Sequence, residues 1–248
     1  MSEPEFVHLH LHSQYSLLDS CLRIGSLPDA LHAQGMKAAA LTDHGNLFGV
    51  LDFYKTMRDA GLKPIVGCEL YVAPDGRFER DSRRSHNYTH LTVLARDLEG
   101  YRNLSNLSTI GYLEGFYYKP RVDKETLQRH SKGLIALSGC AKGVCAVPIV
   151  EGREKDAHLA LDDFREIFGR DSFYLEVQDH GLPDQKKINA GVLDLARSHD
   201  CPVVATNDVH YLQPGDHEAH DILLCIGTGS VVTDERRLRY ESDQFYLK

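Results

Sequence analysis

Three short runs concentrate residues that bind divalent metal ions: His8-Leu9-His10-Leu11-His12, Thr42-Asp43-His44-Gly45 and Asn207-Asp208-Val209-His210. Each follows or ends an apolar, strand-like stretch. Side chains alternate faces along a strand, so His8, His10 and His12 share one face, as do Asp208 and His210. Imidazoles and carboxylates converging from separate strand ends suit a first-row divalent metal. A lone histidine is ordinarily a hydrogen-bonded core or surface group. His32, His130, His158 and His199, which fall in helical patterns, are read that way. Three alternating histidines on a buried strand differ, because without a metal they would turn unpartnered polar groups toward a core. Asp43-His44-Gly45, taken alone, reads equally as a turn or as a ligand.

Two acids sit inside apolar runs where a free carboxylate is seldom tolerated: Glu69 in Ile65-Val66-Gly67-Cys68-Glu69-Leu70, and Glu176 in Tyr174-Leu175-Glu176-Val177. Each is either a ligand or, for Glu176 equally well, a hydrogen-bond partner behind a ligating histidine. Cys140 reads as a buried thiol or as a ligand. Ligands in excess of one tetrahedron point to a cluster of ions, with zinc, manganese or iron favoured by the donor types. Neighbouring divalent ions clamp a phosphoryl oxygen and acidify water, which is the machinery of phosphoester hydrolysis. No GxSxG elbow, Walker A loop or GxGxxG turn offers a competing chemistry.

These groups must be positioned by a fold. The 248 residues, 42% hydrophobic and 26% charged, fit a globular α/β protein, and a net charge of −8 supplies no bulk positive field for nucleic acid. The six cysteines form no CxxC pair, against a zinc ribbon or a disulfide scaffold. The N-terminus lacks the pattern of a signal peptide and no apolar run is long enough to span a membrane, so a cytoplasmic protein is expected. Strand-like runs cover 6–11, 38–41, 64–72, 91–95, 134–137, 173–177 and 203–205. Helical patterns cover 26–34, 50–59, 98–110, 124–129, 156–168, 184–198 and 216–226. This alternation predicts βαβ units and a mostly parallel sheet. Because His12, His44, Cys140 and Asp208 all fall at or past strand ends, a closed, irregular seven-stranded (β/α) barrel with its site at the carboxyl edge is preferred to an open sheet. The charged segment 73–88, with Arg77, Arg80, Arg83 and Arg84, reads as a solvated insertion or as a guide for a nucleic acid strand. The last residues, ending Phe245-Tyr246-Leu247-Lys248, read as a boundary inside a longer protein or as a docked C-terminus.

The strings His8-Leu9-His10-Leu11-His12-Ser13, Tyr15-Ser16-Leu17-Leu18-Asp19, Thr42-Asp43-His44-Gly45-Asn46-Leu47-Phe48-Gly49, Lys63-Pro64-Ile65-Val66-Gly67-Cys68-Glu69, Gly133 to Cys140, and Ala205-Thr206-Asn207-Asp208-Val209-His210 carry a specific resemblance. In order and spacing the chain resembles a PHP (polymerase and histidinol phosphatase) domain, in the branch that opens the alpha subunit of bacterial replicative DNA polymerases. The resemblance covers essentially all 248 residues as one domain. It implies a distorted seven-stranded TIM-like barrel holding three divalent ions on nine ligands: His10, His12, Asp19, His44, Glu69, His90, Cys140, Asp208 and His210. His90, which precedes its apolar run, rests on the resemblance alone. His8 falls where related phosphoesterases often carry aspartate and is placed behind the ligands, with Asp43, Glu176 and Arg83 as further supporting or substrate-contacting candidates. The implied activity is metal-dependent phosphoesterase chemistry, including 3′-5′ exonuclease action on a DNA 3′ end, with a water-derived hydroxide rather than a side chain as nucleophile. Implied partners are the remainder of the polymerase alpha subunit and a separate proofreading subunit. Polymerisation would belong to residues beyond 248. The alternatives are a metal-stabilised docking module without turnover, and a small-molecule phosphatase or pyrophosphatase.

Overall fold

The computed structural model of the chain describes residues 6–80 and 88–248; Arg83 and Arg84 lie outside the described residues. Seven strands form one sheet: β1 (Ala38–Leu41), β2 (Lys63–Val72), β3 (Thr89–Ala95), β4 (Arg121–Val122), β5 (Leu134–Leu137), β6 (Phe173–Val177) and β7 (Val203–Ala205). Their order is β1-β2-β3-β5-β6-β7, with β4 beside β2. The β1/β2, β2/β4, β5/β6 and β6/β7 pairs are parallel, whereas β3 runs antiparallel to both β2 and β5. The sheet is therefore mostly parallel, as the sequence predicts, with β3 as its antiparallel strand. β2 and β3 are consecutive in the chain and adjacent in the sheet, and among the described residues between them no helix supplies the crossover that a parallel neighbour requires.

The sheet curls into the distorted (β/α) barrel that the strand-end placement of ligands predicts. Residues 8–12 bridge its two ends, His8 pairing with Ala39 beside β1 and Leu11 with Val209 beyond β7. The expected first strand over 6–11 is reduced to these bridges. The Leu11 N–H donates to Thr42 Oγ1 at 2.9 Å instead of to a main-chain carbonyl, which interrupts the ladder. The two-residue β4, too short to show a periodic pattern, makes up the count.

Helices α1 (Leu27–Ala33), α2 (Val50–Asp59), α3 (Leu98–Leu113), α4 (Lys124–Arg129), α5 (Ala146–Val150), α6 (Glu154–Phe168), α7 (Pro183–His199) and α8 (His217–Thr228) surround the sheet. Local chemistry starts several of them. Asp97 accepts from the Gly100 N–H at the head of α3, Asp123 and Thr126 cap α4 reciprocally, and Pro183 opens α7. Leu27, Leu31, Phe53 and Met57 of α1 and α2 pack with Leu11 and Leu41, and Leu104, Leu161, Phe164 and Val192 of α3, α6 and α7 pack with Cys68, Leu70, Val93 and Phe173 in the larger cluster further along the sheet. Each such fully buried side chain contributes about 1.5–3 kcal/mol. The C-terminus docks, with the Leu247 N–H donating to the Tyr211 carbonyl and Phe245 and Leu247 buried. Among the described residues no helix is long and apolar enough to cross a membrane.

Candidate metal centre

Glu69 lies at the middle of the barrel mouth, 1% exposed on β2. Its Oε1 is 2.9 Å from His90 Nδ1 and 3.4 Å from His10 Nε2; its Oε2 is 2.6 Å from His44 Nδ1 and 3.6 Å from His12 Nε2. Asp208 Oδ1 is 3.3 Å from His10 Nε2 and 3.2 Å from His12 Nε2. Asp19 Oδ2 is 2.9 Å from His44 Nε2, and Cys140 Sγ is 3.6 Å from Glu69 Oε1 and 3.7 Å from His90 Nδ1. The His210 ring stacks on His12 at 4.5 Å. All nine candidate ligands thus meet at one mouth. Within that set, three overlapping groups bring their donor atoms within 4.8 Å of one another: His12, His44 and His210; His10, His12 and Asp208; His44, Glu69 and His90.

The backbone is bent to place them. Asp208 adopts φ +45° and Leu18, which precedes Asp19, adopts φ +60°, a region that residues other than glycine rarely occupy and that clusters at functional sites. Gly45, at φ +63°, follows His44 closely enough to Pro120 that a Cβ would stand 2.7 Å from its Cγ, so only glycine lets the His44 loop lie against residue 120.

Groups behind the ligands set which nitrogen faces inward. Glu176 accepts from His10 Nδ1 at 2.7 Å, and also from the Gly139 N–H, Gln178 Nε2 and Thr206 Oγ1. His12 Nδ1 donates to Ser16 Oγ at 2.9 Å, whose hydroxyl donates to Asp43 at 2.7 Å. Asp43 also accepts from the Ser13 N–H and hydroxyl. His210 Nδ1 donates to the Asp208 carbonyl at 2.8 Å. Each arrangement leaves Nε2 as an inward lone pair, the tautomer a ligand requires. Glu176 and Asp43 thus hold the rings of candidate ligands, Glu176 directly and Asp43 through Ser16.

Electrostatics follow from burial among opposite charges. Burial and the neighbouring His44 and His210 push His12 down to about 3, the neutral state a ligand needs. Burial works against His44 as well, but Glu69 and Asp19 overcome it and lift it to about 10. Burial opposes the charged form of Glu69, yet His90, His44 and His10 hold its carboxyl well below the usual range, and His10 and His210 do the same for Asp208. Burial and the Glu69 and Asp208 carboxylates push the Cys140 thiol well up.

These residues fit divalent cations. His10 Nε2, His12 Nε2, His44 Nδ1, Glu69 Oε2 and Asp208 Oδ1 are buried without any hydrogen-bond partner, a costly arrangement unless the atoms share a cation. Even the 2.6 Å approach of His44 to Glu69 lacks hydrogen-bond alignment, as expected of two donors aimed at a common third point. Donors about 2.1 Å from a tetrahedral ion stand roughly 3.4 Å apart; the His10–Glu69, His10–Asp208 and His12–Asp208 separations of 3.4, 3.3 and 3.2 Å match this.

Other predicted residues sit elsewhere. His8 is fully buried, edge-on to Phe6 and pushed down to about 4 by burial, and its ring nitrogens have no partner. The bridge to Ala39 turns it away from its neighbours in sequence. Arg77 is locked by Glu114, Asp123 and Glu125 at 2.7, 2.9 and 3.1 Å, which makes it part of the protein's packing and leaves it no free fork for a phosphate. Arg80 donates to the Phe116 carbonyl. Arg83 falls outside the described residues. One residue with no sequence signal enters the site: the Tyr240 hydroxyl is 3.1 Å from His210 Nε2 and 3.5 Å from Asp19. His220 Nε2 donates to the Asp19 carbonyl at 2.7 Å.

Comparison with known proteins agrees with this geometry. The chain is 48% identical over its whole length to the DNA polymerase III subunit alpha of Treponema pallidum, and 44% identical to that of Thermus aquaticus, spanning 21% and 20% of those proteins. It therefore covers about a fifth of the curated relatives it matches. A protein of Bifidobacterium adolescentis assigned as a metal-dependent phosphoesterase shares the fold with a TM-score of 0.53 and 13% identity, over 83% of this chain and 88% of that one. An amidohydrolase of Chromobacterium violaceum aligns with a TM-score of 0.51 and 16% identity, over 82% and 87%. The PHP domain profile matches residues 8–180, and with its curled sheet and clustered ligands the chain belongs to the PHP domain family.

Proposed function

We propose that this chain is the N-terminal PHP domain, residues 1–248, of a DNA polymerase III alpha subunit, and that it hydrolyses phosphodiesters at a DNA 3′ end. The observation that carries the reading is the set of five buried, unpartnered donor atoms on His10, His12, His44, Glu69 and Asp208. His10, His12, Asp19, His44, Glu69, His90, Cys140, Asp208 and His210 would hold three divalent ions, zinc or manganese and alternatively iron. Such ions supply charge for phosphoryl oxygens and lower the pKa of water. The chain's own groups do the positioning. Glu176 fixes the His10 ring, the Ser16–Asp43 pair fixes His12, and His220 anchors the Asp19 backbone. The similarity to polymerase subunits favours DNA as substrate, a cytoplasmic location, and contacts with the rest of the alpha subunit and with a separate proofreading subunit.

The test is release of mononucleotides from a 5′-labelled single-stranded oligonucleotide in manganese or zinc, with Asp208→Asn as control. Stepwise 3′ shortening that Asp208→Asn abolishes is the expected result. A fully metallated chain that cleaves no DNA end, nucleotide or simple phosphate ester would leave a metal-stabilised docking module as the better account.

A further inference from the structure

Beside the metal centre the surface carries a ladder of aromatic rings that the core does not use. Phe48, in the loop after His44, is 57% exposed, Tyr112 and Phe116 are 38% and 47% exposed, and Tyr118 is 76% exposed. Phe48 and Tyr112 have centroids 6.0 Å apart, and Tyr112 stacks with Phe116 at 6.2 Å with planes 22° apart. A second arm begins inside the site. Tyr71 stands 5.9 Å from the His44 ring and 5.2 Å from His90, and Lys119 Nζ lies 5.5 Å over the Tyr71 ring.

Tyr118 heads a tight turn in which the Tyr117 N–H donates to the Lys119 carbonyl at 3.1 Å. It does so at φ +60°, a conformation that is a genuine outlier for a bulky residue and that here presents the ring to solvent. The segment carrying these rings is pinned to the ligand loop. Pro120 fills the space a Cβ would need at Gly45, and Ser108 Oγ donates to the Gly45 carbonyl. The rings and His44 are thus held as one body.

A chain of net charge −8 has no bulk field for gripping phosphates. Exposed, spaced rings flanked by a few cations, Lys119 over Tyr71 and Arg80 over Tyr117, are suited to a different task, since every base has a face that stacks on an aromatic side chain whatever its sequence. We propose that Phe48, Tyr112, Phe116 and Tyr118 form a base-stacking track that leads single-stranded nucleic acid to the metal centre. This rests on the phosphodiester reading for its purpose, but the binding it predicts needs no turnover.

The test uses the whole 248-residue chain and fluorescence anisotropy of labelled, cleavage-resistant phosphorothioate oligothymidylate about 12 nucleotides long, against an abasic strand of the same length and charge. The thymidylate strand should bind at least about tenfold tighter than the abasic one, and Phe48→Ala, Phe116→Ala and Tyr118→Ala should each weaken it on the order of tenfold. Affinity should fall only shallowly with salt, as for one or two phosphate contacts. Because all three side chains are exposed, the variants should melt with the parent, and melting curves check this. Equal affinity for the two strands, or variants that bind like the parent, would overturn the track. So would loss of a concentration-dependent oligomer in the variants with no change in strand binding, which would mark a protein contact instead. Base-dependent binding by a chain that hydrolyses no phosphate ester would retain the track and remove the phosphoesterase reading; hydrolysis of DNA without base-dependent binding would do the reverse.

Discussion

Asp208→Asn separates a metal ligand from a merely buried acid. Asparagine keeps the volume and tolerates the φ of +45° at this position, so the backbone need not move. What changes is the charge on an oxygen 3.3 Å from His10 Nε2 and 3.2 Å from His12 Nε2. Removing a partner behind a ligand costs about 10- to 100-fold in metal affinity. Loss of the charged ligand itself should cost at least about 100-fold, or about 2.7 kcal/mol. With ions at about 1,000 times their dissociation constant, binding stabilises the fold by about 4.1 kcal/mol; a hundredfold weakening leaves about 1.4. For a chain of this length the melting temperature should fall by roughly 5–11 °C. The metal-free protein loses some stability too, because Asp208 has a depressed folded pKa and so stabilises above its unfolded value. The quantity to compare is therefore the rise in melting temperature from chelator to metal, followed by circular dichroism for each protein. An increment as large in Asp208→Asn as in the parent would refute the assignment of this carboxylate as a ligand.

Glu176→Gln places an amide where the carboxylate accepts from His10, Gly139, Gln178 and Thr206, and should weaken metal binding about 10- to 100-fold in a competition titration; unchanged affinity would remove Glu176 from the support of His10. In chelator, His44 has a folded pKa raised to about 10, so its stabilisation is fully present below the unfolded value near 6.5 and is lost as pH rises through 10. The denaturation midpoint of His44→Gln should accordingly lie below the parent's at pH about 6 and converge on it toward pH 10; a gap independent of pH would contradict the pairing with Glu69 and Asp19. Gly45→Ala forces a Cβ onto Pro120 at φ +63° and should cost about 1–3 kcal/mol in urea melts while weakening metal binding through His44; a variant as stable as the parent would show that the loop has room to move.

Continuous apolar runs bounded by turn residues made 134–137 and 173–177 readable as β5 and β6 with the bounds they have in the fold. The first run misled because one side chain, Thr42, takes a hydrogen bond that the ladder would otherwise use. His90 escaped the strand-end reading for a topological reason. β3 runs antiparallel, so its beginning lies at the mouth where the parallel strands end, with His90 opposite Tyr71. Glu69 and Glu176 were visible as acids in apolar runs, but only the fold separates them: Glu176 is saturated by four donors, whereas Glu69 keeps an unpartnered oxygen. Asp19 sits on a turn with no periodicity, and Tyr240 reaches the site through a C-terminal segment whose docking on Tyr211 no local pattern encodes.

The most direct test is the metal content of the chain, purified without chelator after growth in zinc- and manganese-supplemented medium and measured by elemental analysis. The convergence of nine ligand-capable side chains at one mouth, seven of them in three overlapping groups, predicts two to three divalent ions per chain. A ratio well below one would contradict the metal centre on which the account rests.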